Sequence, residues 1–97
     1  MARRRGMDGD GRRFNPERVD EVWERAKKIL GKDPNLYRRD PAGNEIYKPS
    51  YGKNSEKSWE VDHKKPVDKG GTDNFKNLQP LQTEENKKKS NKYPWKP

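Results

Sequence analysis

Cysteine is absent from the 97 residues, so neither a disulfide nor a cysteine-held structural zinc can form. That composition suits a reducing compartment, and a cytoplasmic location is the expectation. Apolar residues are scarce: 25% of the chain is hydrophobic and 41% is charged. A chain of this kind buries little surface, and small cores are marginal without a staple. No run approaches the length of a membrane span. The opening "MARRRGMDGDGRR" is basic but has no apolar stretch, so it does not read as a signal peptide. Histidine is the rarest titratable group, occurring once, at position 63.

Against these absences stand three Trp, four Tyr and two Phe, which bury much area per residue. They are enough for one small folded domain. The net charge of +8 is unevenly spread. Residues 1–13 carry five Arg against two Asp, and residues 14–62 balance at ten of each sign. Residues 63–97 carry nine Lys against four acids, so the larger excess begins at the histidine. A basic surface of this kind is the footprint of a polyanion partner, nucleic acid above all. Residues 1–13 read as a flexible basic arm, and 14–97 as the folded domain.

The spacing predicts a helix over "NPERVDEVWERAKKILG", residues 15–31. Asn15 can cap it, Pro16 suits its first position, and Val19, Val22, Trp23, Ala26, Ile29 and Leu30 share a face. Two short alternating runs, 36–39 and 44–48, flank the turn formers "DPAGN" and predict a β-hairpin. "WEVDH" alternates and predicts a strand. A long loop, "KKPVDKGGTDNFK", leads to a second extended piece, "NLQPLQ", limited by Pro80. "TEENKKKSNK" predicts a short helix capped by Thr83.

The order strand, loop, strand, helix can bring Asp62, His63, Asn77 and Asn86 to one point. Hydrolysis of a phosphodiester needs a proton acceptor for water and neutralisation of phosphate charge. An imidazole, with an ordinary pKa of about 6.5, suits the first task at neutral pH. A carboxylate and an amide oxygen suit a hard divalent cation, which prefers oxygen and keeps several waters. Asp62 and His63 can face one cleft only if the strand ends at them; a regular strand would send them to opposite faces. Asn77 is placed to tie the long loop and orient the backbone around His63. Taken singly, each residue also fits a bland role: a solvent-facing amide, a turn glycine at 70 or 71, a solvated lysine run at 87–89.

"VDHKKPVDKGGTDNFKNLQPLQTEENKKKS" resembles the HNH endonuclease family, in the variant with Asn in the third position found in the HNH domain of RNA-guided CRISPR nucleases. "YGKNSEKSWEVDH" is similar to the lead-in of some small stand-alone bacterial and phage HNH proteins. The resemblance is strong over about 59–90, weaker over 36–58, and absent before that. It implies an α+β fold: a small single domain with a ββα-metal motif, preceded here by the N-terminal helix and the hairpin. It implies metal-dependent hydrolysis of DNA. His63 would be the general base activating water and Asn77 the residue that organises the loop and orients it. Asp62 and Asn86 would hold one divalent metal ion, Mg²⁺ or Mn²⁺, with no structural zinc.

Lys64, Lys65, Lys87 and Lys89 flank this constellation and are expected to contact phosphates, which position a duplex without reading its sequence. Low sequence specificity and steep salt dependence follow. DNA is the expected partner, with no membrane contact; a homodimer, or phage or restriction machinery, is the further partner left open. The alternatives are a non-catalytic nucleic-acid-binding module and an accessory subunit of a larger nuclease.

Overall fold

A computed structural model describes residues 5–96. The chain forms helix α1 (Pro16–Trp23), strands β1 (Lys27–Lys28), β2 (Tyr37–Arg39), β3 (Glu45–Tyr47), β4 (Trp59–His63) and β5 (Leu78–Gln82), and helix α2 (Thr83–Lys89). One antiparallel sheet runs β1-β2-β3 and a second pairs β4 with β5. The fold is α+β, with two helices and two antiparallel sheets. Among the described residues no helix is long and apolar enough to cross a membrane.

The start of α1 follows from its sequence. Asn15 accepts the Arg18 amide at 2.8 Å, and Pro16 opens the first turn. Its end does not. The expected helix to residue 31 stops at Trp23, and Lys27 and Lys28 pair with Arg39 and Arg38 instead. The physical reason is Arg38, which is buried. Its guanidinium donates to the carbonyls of Glu24 at 3.2 Å and Ala26 at 3.4 Å, and its Nε donates to the Pro34 carbonyl at 2.8 Å. Carbonyls left open at a helix end need partners, and here a distant arginine supplies them. Leu30, expected on the core face, is 102% exposed.

The hairpin lies at β2 and β3, within a residue or two of its expected limits. Asp40 closes it by accepting the amides of Ala42 at 3.0 Å and Asn44 at 2.8 Å, and Gly43 takes φ +88°, a region that favours glycine. The same carboxylate accepts the Gln82 amide at 2.9 Å, docking the turn on the start of α2. Gln82, not Thr83, caps that helix by accepting the Glu85 amide.

The core lies between α1, β3 and the β4–β5 pair, with Val22, Trp23, Ile46, Trp59, Val61 and Leu78 fully buried. Trp23 and Trp59 meet at 5.1 Å between ring centroids, and Tyr51 packs on Trp59 at 4.9 Å with its ring tilted by 58°. Each buried Trp contributes on the order of 4 kcal/mol, so two indoles carry much of this small interior. Residues 5–13, the described part of the expected arm, form a closed turn. Met7 bridges Arg13, and Asp8 accepts the amides of Asp10 and Arg12. Residues 1–4 of that arm lie outside the described residues.

Arg38→Met is expected to lower stability by about 3 kcal/mol, because the carbonyls of Glu24, Ala26 and Pro34 lose a buried donor. The exposed neighbour Arg39→Met should change it by less than about 0.5 kcal/mol, and denaturant midpoints compare the two. Glu45 gives a pH test. Hydrogen bonds from Lys32 and Lys57 lower its carboxyl from 4.5 to about 2. A depressed carboxyl adds stability above its unfolded value and loses it as pH falls through its folded value. Wild type should therefore exceed Glu45→Gln above about pH 4.5, and the difference should vanish toward pH 2.

Candidate functional site

β4 runs regularly through its last residue, with Asp62 opposite Gln79 and His63 opposite Leu78. Successive side chains therefore leave opposite faces of the strand. Glu60 and Asp62 face α2, whereas Trp59, Val61 and His63 face the α1 side. The open alternative in the sequence is resolved by geometry: the carboxylate and the imidazole flank the end of β4 from two sides.

On the α2 side, Asp62 and Asn86 are brought to one face and both are buried. Asp62 Oδ2 accepts Gln79 Nε2 at 2.9 Å and pairs with Lys89 Nζ at 3.3 Å. Asn86 Nδ2 donates to Glu60 Oε1 at 2.7 Å. That bond fixes the amide, turning Oδ1 away from Glu60. Glu60 also receives Arg5 Nε, at 2.7 and 3.0 Å from its two oxygens. A carboxylate and an oriented amide oxygen form a hard-donor pair suited to a cation that retains water or takes further ligands from a phosphate. Among the described residues no group of three or more His, Cys, Asp or Glu could hold a metal ion.

Lys89 is not where the sequence led us to expect it. The sequence places it with the phosphate-contacting lysines; in the structure it is 1% exposed, donating to the His63 carbonyl at 3.0 Å as well as meeting Asp62. The cause is helical spacing: Asn86 and Lys89, three apart, share the face of α2 that lies on β4. Lys87 lies on the exposed face beside Glu84 at 3.2 Å. Lys65 is exposed and Lys64 is half-buried.

On the other side, His63 Nε2 lies 2.7 Å from Asp73 Oδ1, and its ring lies 5.8 Å from that of Phe14. Burial opposes ionisation of Asp73, but hydrogen bonds from His63 and the Gly9 amide outweigh it and hold its carboxyl below the ordinary value. An ionised carboxylate only accepts, so Nε2–H donates and the neutral ring keeps its lone pair on Nδ1. Nδ1 makes no hydrogen bond among the described residues. Asn77 ties the long loop: Oδ1 accepts the Lys65 amide at 2.8 Å, and Nδ2 donates to the carbonyls of Lys65 at 3.1 Å and Thr72 at 2.8 Å. Gly70 takes φ +90°, and a Cβ at Gly71 would overlap the Lys65 carbonyl.

Glu60, Asp73 and Gln79 escaped the sequence reading. Glu60 was accessible to it, since a strand's period of two puts it on the face of Asp62. Nothing in the spacing marks Asp73, which reaches His63 only because Asn77 folds the loop back.

The buried pair generates a prediction. Lys89→Ala should cost about 3–5 kcal/mol, because Asp62 would be left charged and buried, while the joint change Asp62→Leu, Lys89→Met should cost far less. Thermal or denaturant unfolding measures both. A single-variant loss below about 1 kcal/mol would contradict the assignment.

The model of the HNH endonuclease family matches residues 51–92. No curated protein and no solved structure matches the chain.

Proposed function

We propose, from the premise that residues 51–92 belong to the HNH endonuclease family, that this chain is a metal-dependent endonuclease hydrolysing DNA phosphodiester bonds. The single observation that carries the reading is the lone imidazole, held through Nε2 by Asp73 at 2.7 Å with Nδ1 left to accept a proton. His63 Nδ1 takes a proton from water. The water oxygen forms a bond to phosphorus in line with the sugar oxygen that departs, and solvent protonates that oxygen. Asp73 steadies the imidazolium that results. Asn77 keeps the loop closed so that Asp73 stays in reach.

Asp62 and Asn86 would hold one divalent cation, Mg²⁺ or Mn²⁺. Such an ion supplies charge neutralisation at the phosphate and the departing oxygen. Gln79 and Lys89 engage Oδ2 of Asp62, and Glu60 orients the Asn86 amide, which supports a role for these residues in shaping the pair. The reading requires a phosphate at the end of β4 to meet Asp62 from one face of the strand and His63 from the other. Lys64, Lys65 and Lys87 contact flanking phosphates, with weak sequence preference. We take 14–97 as the catalytic unit.

A second reading, an accessory subunit active only with a partner, is favoured by one observation. Arg5 sits on Glu60 and the Gly9 amide on Asp73, so the N-terminal turn lies over both sides of the site. Nicking by the isolated protein would exclude it.

The test is relaxation of supercoiled plasmid with Mg²⁺, Mn²⁺ or EDTA. Wild type should nick only with metal. His63→Ala should lower the rate roughly 10²–10⁴-fold while keeping duplex affinity. Equal nicking by the variant, or nicking in EDTA, would refute the mechanism.

A further inference from the structure

Arg18 on α1 and Arg25 in the turn after it lie over one aromatic ring. Their guanidinium carbons are 5.7 and 4.9 Å from the centroid of Phe75. Cations within about 6 Å of a ring face are held by its quadrupole. Phe75 is a firm platform: it packs on the hydrophobic core and opens the 3-10 turn Phe75–Asn77. The same loop carries Asp73, bonded to His63, and Asn77, whose carbonyl accepts the Lys64 amide at 2.7 Å. The charge of Arg18 acts on Asp73, and that of Arg25 acts on Lys64. Both arginines therefore stand beside the His63 loop.

Counter-charge is scarce there. The carboxylate partner of Arg18 is Glu21, on the exposed surface at 3.9 Å. Arg25 and Lys64 pair with no carboxylate among the described residues, and Asp73 is engaged by His63 and Gly9. Like charges on Arg25 and Lys64, with no paired carboxylate among the described residues, cost free energy in the free protein. A phosphodiester relieves that cost, and a stacked guanidinium presents its N–H fork already oriented.

We propose that Arg18, Arg25 and Lys64 form a phosphate-binding rim that grips the DNA backbone on the His63 side of the site. The rim extends the substrate surface to residues that precede the family match. It rests on the DNA reading above and gives it a direction: the duplex approaches across α1 and the Phe75 loop. Such contacts tighten binding to every sequence alike.

Duplex binding by the His63→Ala protein in EDTA, followed by fluorescence anisotropy over a salt series, tests this without cleavage. Joint Arg18→Gln and Arg25→Gln should weaken binding roughly ten-fold or more and lower the slope of log K against log salt by about 1–2. Joint Lys27→Gln and Lys28→Gln, which removes the same charge from exposed β1, should leave the slope unchanged. An unchanged slope in the folded arginine variant, or an equal loss in the β1 control, would overturn the rim. If the double variant does not fold, Arg25→Lys decides: several-fold weaker binding supports the rim and unchanged binding overturns it. Absence of duplex binding by the parent protein would overturn the DNA reading itself, and the rim with it.

Discussion

A buried ion pair between the last residue of α2 and the penultimate residue of β4 holds the site together. Lys89 and Asp62 meet at 3.3 Å with almost no exposure on either side. Such a pair gains little over an apolar contact, yet losing one member is costly because the other stays charged in the interior. The restraint is therefore strong while its net stabilisation is small. It fixes the rotation of α2, which sets Asn86 against Glu60. The same ammonium holds the His63 carbonyl at 3.0 Å and keeps β4 regular to its end. Regularity then sends His63 away from Asp62.

The two faces of β4 divide the chemistry. The α2 face collects oxygen donors, two carboxylates and an amide, with their orientations set by hydrogen bonds from Arg5, Gln79 and Lys89. The α1 face holds an imidazole bonded to a carboxylate that burial and hydrogen bonding act on in opposite senses. Cations gather around that second face, from α1 and from the loop. Under the proposed function, a proton acceptor, charge neutralisation at a phosphate and a held backbone would all be supplied around the end of one strand.

Much of this was legible in the residue order. Asn15-Pro16 marks the start of α1, "DPAGN" marks the hairpin turn, and the alternation of "WEVDH" marks β4, because each is a local signal. What was not legible depends on distant partners. α1 stops early because Arg38, in β2, meets its open carbonyls. Lys89 reads as one of three solvated lysines, and only the packing of α2 on β4 shows it as the buried one. Asp73 is one acid in a polar loop until Asn77 closes that loop and brings it to His63. Glu60 could have been found from strand periodicity alone.

With one histidine in the chain, the imidazole ¹⁵N signals are unambiguous, and they test the central claim directly. We would record long-range ¹H–¹⁵N spectra of the folded protein over a pH series and read the tautomer of the neutral ring. The account predicts the proton on Nε2, facing Asp73, and a bare Nδ1 available to accept one from water. A proton on Nδ1 would leave the site without its base in the position described, and would contradict the account.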